Sequence, residues 1–481
     1  MSRPFSMNGG DSHPQPWSGQ DLIRATGARR VCGDPGLTFS AIGIDSRTLA
    51  AGEVFVALQG EHHDGHRFAP RVAGAGGRGL IVAHQRLEAL PVADWDAAGV
   101  LCLAVDDTLS ALGDLARFHR DRNPARVVAI TGSNGKTTTR AMTAAVLGRR
   151  HAVAATRGNF NNAVGLPLSL FALSPAHRWA VFEIGMNHPG EIDRLAWICR
   201  PDLGVITNIG PAHLEGLGSL EAVRDAKGEL LDHLGPSGLA VLNADDPLVM
   251  QLAARAEGPR LLFGTHPQAA VRAEKIVVQS GRVRFDLVLP GQYQTVRLAM
   301  AAPFMVANAL AAAAVGWQAG LDAGEIGAAL EAFQPVTGRL VRQETARGVT
   351  LIDDTYNANP ASVTAALEAL APAGRKGRAV LVLGDMRELG AAAAALHRQV
   401  GERAAAAGLD QLWIAGEMAA EVAAGARRGG MAAHRIRVAR KDDIADALAG
   451  WLAPGDLVLV KGSRAMRMET VVAALNARLK E

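Results

Sequence analysis

The residues best suited to chemistry lie in the run Gly132-Ser133-Asn134-Gly135-Lys136-Thr137-Thr138. It follows the apolar stretch Val127-Val128-Ala129-Ile130 and precedes a helix-forming stretch over residues 139–147. A strand, a glycine turn, Lys-Thr and a helix together make a cradle for polyphosphate. Backbone N–H groups at the helix start bind the anion, the lysine adds positive charge, and a threonine hydroxyl is suited to ligate Mg²⁺. Gly132, Ser133, Asn134, Gly135, Lys136, Thr137 and Thr138 are therefore the expected nucleotide contacts. The common phosphate loop has four residues between its glycines. Here only Ser133 and Asn134 stand between them, and Ile130 occupies the place of the earlier glycine. The alternative, a glycine turn with a solvated lysine, leaves the flanking strand and helix unexplained.

Such a loop needs a sheet to hold it. Apolar strands follow it at 152–155, 180–184, 204–207, 240–242 and 261–263, with helical stretches between. This alternation predicts a parallel α/β sheet, with ligands at the C-terminal strand ends. Glu183, Asn208 and Asn243-Ala244-Asp245-Asp246 fall at those ends. Residues 271–290 alternate differently and predict a small antiparallel addition; an alanine-rich helix over 308–318 closes the segment. Earlier in the chain, strands at 55–58, 80–83 and 101–105 mix with glycine turns. A helix over 109–121 is then broken by Arg122-Asn123-Pro124. Beyond Phe333 the strand–helix pattern returns, with strands at 349–352, 379–383, 412–415 and 457–460. The expected fold is α/β with three domains: a small mixed α/β domain over 19–108, a central phosphate-loop, parallel-sheet, ATPase-like domain over 109–334, and a Rossmann-like doubly wound domain over 335–481. Residues 1–18 read as a disordered tail.

The chain of 481 residues is 49% apolar and 20% charged, which suits several buried cores. No charge-free apolar run reaches the ~18–20 residues a membrane span requires. Residues 1–17 lack the apolar centre of a secretion signal. Membrane insertion is not expected; a cytoplasmic location and a monomer are. Cys32, Cys102 and Cys199 are odd in number and far apart in sequence, making neither a disulfide framework nor a Cys-x-x-Cys metal site. A net charge of +3, with no long basic run interleaved with aromatics, argues against nucleic acid as a partner. His62, His63 and His66 cluster without completing a recognised ligand pattern.

Further motifs follow the loop in order: Thr156-Arg157-Gly158-Asn159-Phe160-Asn161-Asn162, Phe182-Glu183-Ile184-Gly185-Met186-Asn187, Thr207-Asn208-Ile209-Gly210-Pro211-Ala212-His213 and Ala226-Lys227-Gly228-Glu229. In this order they resemble the Mur ligase family, ATP-dependent amino-acid-adding enzymes of peptidoglycan synthesis, over nearly the whole chain from about residue 19. Asp353-Asp354-Thr355-Tyr356-Asn357-Ala358-Asn359-Pro360, Gly384-Asp385-Met386-Arg387-Glu388-Leu389-Gly390 and the stretch from Lys461 to Glu469 are similar to the member that adds D-alanyl-D-alanine. The Asp-Asn-Pro-Arg signature of the member that adds the third peptide residue is missing from the sequence.

The resemblance implies that ATP phosphorylates the carboxylate of a UDP-N-acetylmuramoyl-tripeptide, and that D-alanyl-D-alanine attacks the resulting acyl phosphate. It implies that Lys136 and Mg²⁺ offset the repulsion between carboxylate and triphosphate. Thr137 and Glu183 are hard oxygen ligands for one Mg²⁺; a second metal is implied near His213 and Lys227. By the same resemblance Lys227 is carbamylated, so that its tip is a carboxylate. On residue type alone it reads as a solvated helix lysine. His213 serves metal binding, proton handling or both. Asp45, Ser46 and Arg47, with Asp64-Gly65-His66, resemble the uridine-diphosphate end of the substrate site. Asn161 and Asn162 either bind the muramyl substrate or cap and turn the chain. Arg339 reaches ATP phosphate or makes a surface ion pair. Asp354 and Asn357 hold ribose and base or end a strand in a turn. Lys461, Ser463 and Arg464 hold the dipeptide's carboxylate or a neighbouring one. One departure concerns the base. Ahead of Asn308, itself an expected nucleotide contact, the chain reads Ala302-Pro303-Phe304-Met305, so Phe304 stands where the family usually has a histidine. A phenylalanine stacks on a base but donates no hydrogen bond. The rival functions are another ligase of the family, a simple ATPase or kinase, and a non-catalytic nucleotide-binding regulator. A regulator would have no need of Glu183, His213, Lys227 and the C-terminal motifs together.

Overall fold

The computed structural model describes residues 15–60, 63–279, 282–299, 302–370 and 377–480. Most of the expected tail and His62 lie outside them. The chain forms two compact units, each built from several stretches. One takes Ala129 and the described residues before it, with His151–Ile184 and Asp193–Asp202; the other takes Ile130–Arg150, Gly185–Ile192 and the residues from Leu203 onward.

In the first unit a five-stranded sheet runs in the order Arg29–Cys32, Leu101–Val105, Gly79–Ala83, Glu53–Val56, Ala41–Gly43. Its first strand is antiparallel to the second, and the rest are parallel. Leu101–Val105 is buried at every residue, which explains its unbroken apolar sequence. The expected helix runs over Thr108–Asp121, with the Asp107 carboxylate accepting the N–H groups of Leu109 and Ser110. A helix over Gly19–Thr26 escaped the sequence reading, although Ser18 and Asp21 form a reciprocal capping box. Cys32 and Cys102, distant in sequence, are register partners on adjacent strands, and all three cysteines are free and buried. Val153–Ala155 and Trp179–Glu183 pair in parallel.

In the second unit, Leu203–Ile206, Leu239–Asn243, Arg260–Gly264 and Val271–Gln279 pair in parallel, in that order. Arg282–Leu289 and Gln292–Leu298 then extend the sheet antiparallel, which is the expected addition, one strand longer than its sequence suggests. The helix Phe304–Gln318 packs against Lys136–Leu147 through Gly316, where a Cβ would come within 2.4 Å of Val146 Cγ1. A further sheet runs in the order Val341–Glu344, Thr350–Asp354, Leu457–Lys461, Ala379–Leu383, Gln411–Ile414, Ile436–Val438, with only the first strand antiparallel. The last strand in sequence is thus inserted between two earlier ones. This is the doubly wound pattern, and it gathers the loops after Asp354, Lys461 and Leu383 at one sheet end. Among the described residues no helix is long and apolar enough to cross a membrane.

Candidate active site

The phosphate loop leaves the strand Arg126–Thr131 and enters the helix Lys136–Leu147 without an intervening residue beyond Gly135. Gly132 and Gly135 both have positive φ, 148° and 83°. A Cβ on Gly132 would lie 1.9 Å from Thr207 Oγ1, and one on Gly135 would lie 2.3 Å from Asn308 Oδ1. The short loop is braced from outside. Thr207 Oγ1 donates to Asn134 O (2.6 Å), Asn208 Oδ1 accepts from Asn134 N (2.8 Å), and Asn208 Nδ2 donates to Asn134 O (3.0 Å). Ser133 Oγ bonds both the carbonyl and the N–H of Gly210. Segment 207–210 therefore does the work of the two missing loop residues. Gly135, the N-cap, offers no side chain to the first turn of the helix. A helix start capped by glycine fits an anion cradle. Lys136 Nζ donates to Gly132 O (2.7 Å) and so curls back over the loop.

Asn308 sits behind the loop, 5% exposed, with Oδ1 accepting from Thr139 Oγ1 (3.2 Å). Its immediate work is to buttress Gly135. Phe304 opens the same helix and is partly buried. From the far side, Arg339 Nη2 donates to Thr137 Oγ1 (3.1 Å), and its guanidinium lies 4.0 Å from the Tyr356 ring centre. Asn359 Nδ2 donates to Asn134 Oδ1 (2.9 Å), while Asn359 Oδ1 accepts from Ser362 N at the start of the helix Pro360–Leu370. Sequence reasoning assigned Asn359 nothing; an Asn followed by Pro at a helix start was the available signal.

Lys227, on the helix Leu220–Gly228, is 1% exposed. Burial, and then the charge of Lys136, push its amine well below the ordinary lysine range. His213 begins the helix Leu214–Leu217 in left-handed backbone (φ 57°), with Nδ1 2.7 Å from Glu388 Oε2. The His213 ring beside it holds the Glu388 carboxyl below the usual range, and Lys136 contributes in the same direction. Lys136 thus shares one electrostatic neighbourhood with Lys227 and Glu388.

Asp354 and Lys461, read separately in the sequence, are register partners at the ends of adjacent parallel strands. Lys461 Nζ donates to Asp354 Oδ2 (2.6 Å) and to Asn357 O (3.0 Å). Burial pushes the Asp354 carboxyl above the usual range even with Lys461 beside it. Ser463 Oγ accepts from Arg387 N (2.7 Å), and Arg464 pairs with Glu469 at the surface.

In the first unit, Glu183 ends its strand 2% exposed, with Oε1 accepting from Asn161 Nδ2 (2.9 Å). Asn162 Oδ1 accepts from Val164 N and Gly165 N, a local turn. Asp45 binds the Arg47 guanidinium with both oxygens, which holds its carboxyl down at about 2, and Ser46 Oγ accepts from Arg71. Ser46, Arg47 and Arg71 line a cavity of about 310 Å³. His66 is buried, bonding Asp64 through Nδ1 and accepting Ala83 N–H at Nε2. Both ring nitrogens are used, so His66 serves the fold. Among the described residues no three His, Cys, Asp or Glu side chains converge as a metal cage.

These features define a phosphate-loop α/β protein. Family models match along its length: the Mur ligase middle domain over residues 130–316, the Mur ligase glutamate ligase domain over 338–464, and the Mur ligase family catalytic domain over 38–120. The chain belongs to the Mur ligase family. It is 40% identical, over 447 residues, to the UDP-N-acetylmuramoyl-tripeptide--D-alanyl-D-alanine ligase of Escherichia coli, covering 91% of this chain and 94% of that relative. Among solved structures, MurF of Acinetobacter baumannii is similar with a TM-score of 0.87 at 33% identity, covering 97% of this chain and 100% of the other. MurF of Thermotoga maritima in complex with ADP has a TM-score of 0.79 at 28% identity, covering 92% and 98%.

Proposed function

We propose that this chain is an ATP-dependent ligase that joins D-alanyl-D-alanine to UDP-N-acetylmuramoyl-tripeptide, giving the UDP-linked pentapeptide, ADP and phosphate. The observation that carries this reading is the braced phosphate loop, whose Lys136 acts on buried Lys227 and on Glu388 from the dipeptide-type motif 384–390. The E. coli relative bears the name of this reaction along nearly its full length.

The peptide carboxylate oxygen attacks the γ-phosphorus of ATP, an O–P bond forms, and the bond to the β-phosphate oxygen breaks to release ADP. Lys136 and the N–H groups opening the helix Lys136–Leu147 stabilise charge on the moving phosphoryl group. The neutral amine of the dipeptide then attacks the acyl carbon, the tetrahedral intermediate collapses, phosphate leaves, and the amine sheds a proton. His213 is a metal ligand, the acceptor of that proton, or both. Thr137 and Glu183 are the proposed oxygen donors to one Mg²⁺, and His213 with Lys227 serve a second; bound there, the ions would screen the triphosphate. Lys227 suits carbamylation, because burial disfavours its charged form and the neutral amine is the form that attacks CO₂. Arg339 and Asn357 are proposed to face the nucleotide, Lys461 and Ser463 to order the dipeptide end, Asn161 to bind the muramyl substrate, and the Arg47–Arg71 cavity to take the uridine diphosphate. The domains run over 19–108, 109–334 and 335–481, and the enzyme works as a cytoplasmic monomer.

The test is phosphate release with purified chain, ATP and UDP-N-acetylmuramoyl-tripeptide. Release that requires D-alanyl-D-alanine, and is not supported by D-alanine or glutamate, bears the reading out. Release without either co-substrate would make the chain an ATPase.

A further inference from the structure

Asn134 and Asn359 lie 225 residues apart, and a hydrogen bond joins their side chains. That bond has a direction, because each amide has a donor end and an acceptor end. The direction starts from a backbone group that can only donate. Ser362 N donates to Asn359 Oδ1 (2.8 Å), at the start of a helix whose first residue, Pro360, has no N–H of its own. The Ser362 hydroxyl closes the cap from the other side: Asn359 N donates to its Oγ (2.9 Å), and Oγ donates to Asn359 O (2.9 Å). With its oxygen committed to the cap, Asn359 presents Nδ2, and Asn134 must answer with Oδ1 (2.9 Å). Nδ2 of Asn134 is thereby left at the opposite end of its amide. Both ends of this link are anchored. Asn134 is held at its own N–H and carbonyl by Asn208 and Thr207. The helix start lies close to the same bracing segment, since a Cβ on Gly210 would be 3.8 Å from both Ala361 Cβ and Ser133 Cβ. Among the described residues, the bond to Asn359 is the one that the Asn134 side chain makes.

An ionised phosphate oxygen only accepts hydrogen bonds, so an amide beside it helps with its NH₂ end and repels with its oxygen. We propose that Asn134 Nδ2 donates to a phosphate oxygen of the nucleotide, and that Asn359 is the positioning residue that turns the amide that way. This rests on the reading of the loop as an ATP cradle. It adds the atom through which Asn134 acts and the residue that aims it.

The experiment uses the full chain and titration calorimetry with the β,γ-imido analogue of ATP and Mg²⁺. N134A removes the donor and should weaken binding about 10- to 100-fold, the worth of one hydrogen bond to a charged oxygen. N359D keeps the helix cap, because aspartate caps as well as asparagine, but it offers Asn134 only oxygens. The Asn134 amide then turns round, and the loss should match that of N134A while the melting temperature holds. N359S also caps the helix but is too short to hold the amide. With both orientations populated, affinity should fall only about twofold. In N134A/N359D the loss should be no greater than in N134A. Repulsion by the new carboxylate itself, or a merely structural role for Asn359, costs the same with or without the Asn134 amide. Additive losses therefore overturn the proposal, as does wild-type affinity in N134A or N359D. If N359D does not fold, N359S decides: a loss of about twofold supports the proposal, and a loss of about tenfold or none overturns it. If the wild type does not bind the analogue, the reading of the loop falls and the proposal with it. If it binds and N134A binds equally well, only the proposal falls.

Discussion

Gly135 is the residue on which the cradle turns, and replacing it with alanine tests the loop physically. Its φ of 83° lies in the left-handed region, where a Cβ costs about 1–2 kcal/mol. That Cβ would lie 2.3 Å from Asn308 Oδ1, so the amide must move. Moving it breaks the 3.2 Å bond from Thr139 Oγ1, a net loss of about 1 kcal/mol. The expected destabilisation is therefore about 2–3 kcal/mol, shared between strain and displacement. The two shares separate in a double-mutant cycle of G135A, N308A and their combination. Removing Asn308 relieves the clash and leaves the strain, so a coupling of about 1 kcal/mol is expected. ADP affinity by titration calorimetry should fall at least about tenfold in G135A, because the helix start moves with the residue. Unchanged ADP affinity, or a cycle without coupling, would refute this account of the loop.

Two further outcomes are expected. In CO₂-depleted buffer, the Lys227 amine titrates far below 10.5 in the folded chain. Between that lowered value and the ordinary one, the unfolded chain holds the extra proton, so stability rises with pH and falls as pH drops through the window. K227M should then be more stable than wild type at neutral pH, with a flatter pH profile and no ligase activity; thermal unfolding across neutral to alkaline pH checks the sign. K461M strands the buried Asp354 carboxylate and should cost about 3 kcal/mol, whereas the apolar pair D354L/K461M should regain most of it, read as melting temperatures.

The sequence made the strands and the loop legible because both are local: apolar runs, glycines at fixed spacing, a lysine at a helix start. It also carried the order of motifs, and hence the family. What it hid depends on which strands are neighbours. Asp354 and Lys461 meet because the last strand inserts beside Thr350–Asp354, and nothing in either motif states that adjacency. Asn359 on Asn134 and Glu388 on His213 are contacts of the same long-range kind. Asn162 makes a contact of the opposite kind, a short-range turn with Val164 and Gly165. The capping box at Ser18 and Asp21 is a local signal too, but the helix it opens is only eight residues long, short for a periodic pattern to show.

The central claim is that the substrate carboxylate itself takes the phosphoryl group from ATP. It is tested most directly by labelling the terminal carboxylate of UDP-N-acetylmuramoyl-tripeptide with oxygen-18 and collecting the phosphate released during ligation. An acyl-phosphate route carries one carboxylate oxygen into each phosphate, so labelled phosphate should appear in step with pentapeptide. Phosphate free of the label, with pentapeptide still forming, would contradict the account.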